Sequence, residues 1–190
     1  MKLTLMQFLS LDGVSQGPGA ADEDTSGDFA RGGWFAPHVD DEFLAAATAW
    51  TEDAHGFLFG RRTYEAFAAH WPGVTDPDDP IASCLNGLPK YIVSRTLAEA
   101  SWGPASILAG DVVAEVTELK ATGEGELQIH GSAELGGSLL AAGLIDELRL
   151  AIAPVLVGEG RRLFATDAAA DLRLLSTKTT PGGIALHVYR

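Results

Sequence analysis

Three short segments place glycine, hydroxyl groups and fixed charge directly after apolar runs. The first, Phe59-Gly60-Arg61-Arg62-Thr63-Tyr64, closes the apolar run 56–60 and opens a helix-like stretch. A glycine at such a junction lets a ligand approach the backbone closely. The unpaired N–H groups at a helix start favour an anion. Arg61 and Arg62 add forked donors that match phosphate. Two arginines that merely keep a helix soluble would look alike, but their place at a strand end in an acidic chain favours the ligand. The second segment, His130-Gly131-Ser132-Ala133-Glu134-Leu135, repeats the pattern, with backbone amides suited to a pyrophosphate. By itself Gly-Ser also makes an ordinary helix cap. The third, Lys90-Tyr91-Ile92-Val93-Ser94-Arg95-Thr96, ends a strand-like run in hydroxyls and a cation. Together the three segments point to a phosphorylated ligand.

Other chemistries find little support. There is no GxxxxGK[ST] phosphate loop, no GxGxxG after a strand and no GxSxG nucleophile turn. The histidines at 38, 55, 70, 130 and 187 never fall at HxxH or HxxxH spacing, and His38 beside Asp40 reads as a solvated loop pair, so no metal is expected. Cys84 has no base or cation beside it and reads as an inert thiol. The carboxylates available as proton sources are Asp12, at a strand end, and Asp40, Asp41 and Glu42, at a helix start. Each has an equally good structural role, loop capping for Asp12 and dipole compensation for the others. No single catalytic residue stands out.

The elements that must carry these segments follow from the pattern. Residues 2–9 read as a buried strand, and 10–38 as a long, Gly-, Asp- and Pro-rich loop without period. Helices are expected at 40–51, 61–70 (with Thr63 in the N-cap region), 111–121 (capped by Asp111) and 132–142. Strands are expected at 56–60, 90–94, 106–108, 127–130, 147–153, 171–179 and 184–189, with residues 71–80 as loop. Thr180-Pro181-Gly182-Gly183 makes the last two strands a hairpin. Strands alternating with helices predict an α/β, mainly parallel sheet covered on both faces, with an antiparallel edge. Ligands in such sheets lie beyond the carboxyl ends of the strands, which is where the three segments fall.

The 190 residues suit one domain covering 1–190. The formal net charge of −13 and scattered basic residues argue against a nucleic-acid partner or a membrane surface. One cysteine precludes an intramolecular disulfide framework. No apolar run reaches the ~20 residues of a membrane span, and the first residues read as a strand and not a signal peptide, so a cytoplasmic protein is expected.

The succession SLDG, GGW, GRRTYE, KYIVSRTL, IHGSAEL and DELRLAIAPVLVGEGRRLF resembles the dihydrofolate reductase-like superfamily. More narrowly it is similar to bacterial proteins related to the C-terminal reductase domain of the riboflavin-biosynthesis deaminase-reductase. The resemblance covers roughly residues 2–189. It implies a three-layer α/β/α fold around an eight-stranded mixed sheet, and NADPH as hydride donor. It would place Gly60, Arg61, Arg62 and Thr63 at the 2′-phosphate and pyrophosphate. Ser94, Arg95 and Thr96 would flank the adenosine phosphate, and Gly131, Ser132, Ala133, Glu134 and Leu135 would cradle the pyrophosphate. The loop from Asp12 and Gly13 to Gly17, with Trp34 at its far end, would cover the nicotinamide. The chain departs from the bifunctional pattern in having no deaminase zinc motif, and it has few basic residues for a substrate ribose phosphate outside the cofactor side.

These readings converge on an NADPH-dependent reductase of a small heterocyclic or carbonyl-like substrate. That substrate would be pterin- or folate-like, or like 5-amino-6-(5-phosphoribosylamino)uracil. The alternatives are a non-catalytic nucleotide- or small-ligand-binding protein on the same fold and a structural partner protein with no dinucleotide affinity. A homodimer is expected, with Ile152, Val155, Leu156 and Val157 extending the interface. The loop 13–35 is expected to be mobile until a ligand orders it, with Trp34-Phe35 capping the pocket.

Overall fold

A computed structural model describes residues 1–164 and 169–190. The strands are β1 Lys2–Ser10, β2 Ala54–Gly60, β3 Lys90–Val93, β4 Ala105–Leu108, β5 Glu126–His130, β6 Glu147–Ala153, β7 Leu174–Thr179 and β8 Ala185–Tyr189. They form one eight-stranded sheet in the order β4-β3-β2-β5-β1-β6-β8-β7. Strands β1 to β6 pair in parallel, and β8 runs antiparallel to both β6 and β7. The helices are α1 Asp41–Glu52, α2 Arg61–His70, α3 Pro80–Gly87, α4 Val112–Thr122 and α5 Ala133–Ala141.

Alternation along the strands separates two cores. Leu3, Leu5 and Leu9 of β1, Leu58 of β2 and Leu127 and Ile129 of β5 pack with Val116 of α4 and Leu135 and Leu139 of α5. On the opposite face, Phe43 and Ala47 of α1 join Ala151, Ala153 and Leu186. Tyr64 of α2 and Leu85 of α3 join Phe57, Phe59 and Ile92 on that same face. So α1, α2 and α3 cover one face and α4 and α5 the other, the three-layer dihydrofolate reductase-like arrangement. A strand buried on both faces reads as the near-continuous apolar run seen in β1.

The helix starts follow local chemistry. Asp40 accepts from the Phe43 amide at 2.8 Å, and its other oxygen accepts from Gly182 N–H in the hairpin turn. Asp111 caps α4 as expected, accepting from Ala114 N–H at 2.9 Å. Helix α3 is a correction to the sequence reading. Asp79 accepts from Ala82 N–H at 2.9 Å, and Pro80 takes the first helical position, where its missing N–H is no loss. Thr63 is not the cap of α2; Gly60 occupies that position and Thr63 lies within the first turn. The strand expected at 171–179 is shorter, beginning at Leu174.

The long segment after β1 is a loop, as expected, and several of its side chains pin it to the core. Val14, Phe29, Trp34 and Phe35 are buried with α1. The Trp34 indole N–H donates to the Gln16 carbonyl at 2.8 Å, and Phe35 stacks on Phe8 with centroids 4.6 Å apart. Trp34 and Phe35 are core residues and not a free cap.

Candidate functional site

Helix placement creates a switch point in the sheet. β2 and β5 are neighbours, yet the chain leaves β2 for α2 on one face and leaves β5 for α5 on the other. The edge of the sheet beyond such a divergence is the usual ligand position in sheets of this kind. The two helix starts are clasped at that edge. The Gly60 N–H donates to Ser132 Oγ at 2.9 Å, and the Ser132 N–H donates to Thr63 Oγ1 at 3.1 Å. Two helix dipoles thus present their positive ends at one edge of the sheet.

Backbone shape supports a close approach. Gly131 (φ 57) and Ser132 (φ 53) are both left-handed. The left-handed backbone at 131 favours glycine, since a side chain there would be strained. The amides of Arg61, Arg62 and Thr63, and of Ala133, Glu134 and Leu135, lie in first helical turns with no intrahelical acceptor. The Leu135 side chain itself is buried in the core.

Three arginines follow the strand ends at this edge. Arg61 lies 3.4 Å from Glu65, and Arg62 lies 3.7 Å from Glu134, all four side chains well exposed. Arg95 is exposed after β3, which pairs with β2 so that Gly60 faces Val93. No ion pair holds Arg95 among the described residues. Ser94 Oγ accepts from the Thr96 and Leu97 amides at 3.2 and 2.9 Å, which shapes the turn that carries Arg95. The fold therefore gathers Gly60–Thr63, Ser94–Arg95 and residues 131–135 at the ends of three successive strands.

Asp12 and Gly13 sit apart. β1 leaves its ladder with β5 at Met6 opposite His130, but runs on beside β6 to Ser10 opposite Ala153. Asp12 accepts from Ser10 Oγ at 2.6 Å and from the Val157 and Gly158 amides at 3.1 and 2.8 Å. The Ser10 hydroxyl, opposed in part by burial and aided by those amides, holds its carboxyl at about 2. Asp12 braces the turn after β6, as a loop-capping carboxylate would. Asp40 is likewise held below the usual carboxylate range by the Phe43 amide, against burial and with help from Gly182. Glu42 pairs with Lys178 at 2.8 Å.

One buried polar system went unread in the sequence. His130 Nε2 lies 2.7 Å from Gln128 Oε1, and the Gln128 amide N–H donates to Glu126 at 2.7 Å and to the Trp50 carbonyl. Because that amide nitrogen donates, His130 must give the proton to Gln128 Oε1. Arg149 completes the system, 3.1 Å from Glu126, 2.9 Å from Glu147 and 3.0 Å from the Trp50 carbonyl at the end of α1. Burial, then the Arg149 charge, push the His130 pKa down to about 3. The signal was a polar residue at every second position of Glu126-Leu127-Gln128-Ile129-His130 and Glu147-Leu148-Arg149.

The expected dimer face is largely used inside the molecule. Val157 is buried, and Ile152 and Val155 pack against the two cores, leaving Leu156 exposed. Two concavities, one between Gln16, Phe29 and Arg161 and one beside Asn86 and Trp102, are lined by none of these residues. No group of His, Cys, Asp and Glu suited to a metal occurs among the described residues, and none of their helices is long and apolar enough to cross a membrane.

Known proteins bear on this arrangement. The chain is 30% identical over 135 residues to the uncharacterized protein YyaP of Bacillus subtilis, covering 70% of this chain and 71% of that one. A putative riboflavin biosynthesis protein from Shewanella sp. PV-4 superposes with a TM-score of 0.70 at 22% identity, over 100% of this chain and 98% of that one. A pyrimidine reductase-like protein from Corynebacterium diphtheriae gives a TM-score of 0.65 at 13% identity, over 100% and 91%. The Thermotoga maritima diaminohydroxyphosphoribosylaminopyrimidine deaminase/5-amino-6-(5-phosphoribosylamino)uracil reductase gives 0.66 at 12%, and this chain spans 56% of it. These likenesses at low identity show the fold. The model of the RibD C-terminal domain matches residues 1–186, and the chain therefore belongs to the RibD C-terminal domain family, a reductase-type domain.

Proposed function

We propose that the protein is an NADPH-dependent reductase that transfers a hydride to a small heterocycle of the pyrimidine or pterin type. The observation that carries this reading is the clasp between Gly60 and Ser132, which sets two helix starts side by side at the switch point. The residues fit a dinucleotide: a left-handed glycine at 131, free first-turn amides on both sides, and arginines that are exposed and loosely paired. Arg61, Arg62 and Arg95 would hold the 2′-phosphate, and the amides of both helix starts the pyrophosphate.

When bound, NADPH supplies the hydride; the protein's task is to orient the reacting rings and exclude water. Asp12 and Asp40 take no part as proton donors in this account. Both carboxylates already accept backbone N–H groups and stay ionised. That same observation favours a second reading, a protein that binds the dinucleotide without turnover.

The two readings separate when loss of NADPH absorbance is followed with a panel of dihydropterins and aminouracil ribosides. Consumption that depends on one heterocycle supports the reductase. Saturable NADPH binding with no consumption across the panel supports the second reading, and absence of binding removes both.

A further inference from the structure

Residues 94–104 connect β3 to β4 without a helix. The two strands are parallel, with Lys90 opposite Ala105 and Val93 opposite Leu108. The connection therefore returns along the whole of β3 before β4 can start. Most parallel crossovers carry a helix for this purpose; here a bare strap does it, and neighbouring elements have to hold it.

The strap is fixed by hydrogen bonds at its two ends. At the first, Ser94 Oγ shapes the turn that carries Arg95. At the second lies Trp102, which is buried. The Trp102 N–H donates to Tyr64 Oη at 2.7 Å, and Tyr64 Oη donates to the Trp102 carbonyl at 3.2 Å. The indole N–H donates to Asn86 Oδ1 at 2.9 Å, and the Lys90 ammonium lies 4.5 Å from the ring centroid. Between the ends, Leu97 and Ala100 rest on the core by apolar contact. Such contact is non-directional and lets a chain slide, whereas hydrogen bonds set where it stops.

Tyr64 differs from the other two anchors in where it comes from. Asn86 and Lys90 belong to α3 and to β3 itself, but Tyr64 stands in the first turn of α2, directly after Arg61, Arg62 and Thr63. Gly60 lies opposite Val93, so Arg95 leaves β3 beside that same turn. We propose that Tyr64 is a positioning residue: by anchoring the strap to the start of α2, its hydroxyl holds Arg95 at the spacing from Arg61 and Arg62 at which the three meet one phosphate. This rests on the dinucleotide reading above. Tyr64 is 2% exposed and its hydroxyl is bonded to backbone groups on both sides, so it acts through the chain and not on the ligand.

The test follows the ratio of NADPH to NADH affinity, which a loss of packing alone would not move. Tyr64→Phe removes only the hydroxyl. The ratio is expected to fall roughly three- to tenfold, part of the ten- to hundredfold expected for removing Arg95 itself. In an Arg95→Ala background the same substitution should leave the ratio where Arg95→Ala put it. A lowered melting temperature with the wild-type ratio kept makes Tyr64 a packing residue and overturns the proposal. An equal further fall in the Arg95→Ala background overturns it too, as does a wild-type ratio in Arg95→Ala alone. Should Tyr64→Phe fail to fold, one glycine inserted between Glu99 and Ala100 gives the strap slack while the Tyr64 bonds remain. The same fall in ratio then supports the anchor, and a wild-type ratio overturns it. If the wild type binds no NADPH, the dinucleotide reading fails and this one with it. If the wild type prefers NADPH and Tyr64→Phe prefers it equally, only the role of Tyr64 fails.

Discussion

Arg149, within β6, and Arg62, in the first turn of α2, sit in contrasting surroundings. The Arg149 side chain is 6% exposed, and it meets Glu126, Glu147, Asp53 and the Trp50 carbonyl. Lys2 bridges the same two glutamates at 2.7 and 3.0 Å. At the carboxyl edge Arg62 is 62% exposed and lies 3.7 Å from one glutamate that is itself 79% exposed. Buried charge persists only when its partners are complete, whereas a loose surface pair contributes little. The first arrangement holds strands and the end of α1 together. The second leaves donors free to turn toward an anion. The difference separates structural cations from ligand-facing ones more clearly than residue type does.

The largest expected effect comes from breaking the buried system. Arg149→Met should lower stability by roughly 3–5 kcal/mol, because Glu126 and Glu147 lose a partner in the interior. Denaturant unfolding measures this. The ratio of NADPH to NADH affinity should not change in the folded fraction, and a changed ratio would join the two regions that the comparison separates.

The next effect lies at the other edge. Arg61→Ala, Arg62→Ala and Arg95→Ala should each weaken NADPH roughly ten- to a hundredfold where the arginine contacts the 2′-phosphate, the scale of a charge-assisted hydrogen bond. NADH should change far less, and stability by within about 0.5 kcal/mol. An arginine that serves the pyrophosphate instead would weaken both cofactors alike. Wild-type ratios in all three variants would leave this edge with no phosphate site.

His130 sharpens the comparison through pH. Its pKa falls from the ordinary 6.5 to about 3 in the folded protein. The unfolded chain therefore binds a proton that the folded one refuses, and stability is lost as pH falls from 6.5 toward 3. Removing Arg149 takes away one of the two causes, so NMR titration of Arg149→Met should find the His130 pKa raised. An unchanged value would mean that burial alone sets it.

The smallest effect belongs to the exposed pair Arg61–Glu65. Glu65→Gln should change stability by only about 0.3–0.5 kcal/mol, as for other exposed pairs one helical turn apart.

Much of this was legible in the sequence. The alternation of strands and helices, the C-terminal hairpin and the three strand ends with Gly60, Ser94 and Gly131 all follow from local pattern and turn chemistry. What escaped depends on contacts between distant residues. Asp12 looked available until the Val157 and Gly158 amides were seen to use it. Trp34 and Phe35 looked like a lid because nothing local says that Phe8 and Phe43 await them across the sheet face. Val157 looked like interface because an apolar run does not tell which side chains turn inward. Helix α3 escaped because residues 71–80 read as one Pro- and Asp-rich loop, although Asp79-Pro80 is also a helix start.

The central claim is that the carboxyl edge of β3, β2 and β5 holds a phosphorylated dinucleotide. Calorimetric titration of the wild-type protein with NADPH and with NADH tests it most directly. The account predicts saturable binding of one NADPH per chain, with NADH weaker by roughly tenfold or more. Equal affinity for the two cofactors, or no heat of binding with either, would contradict it.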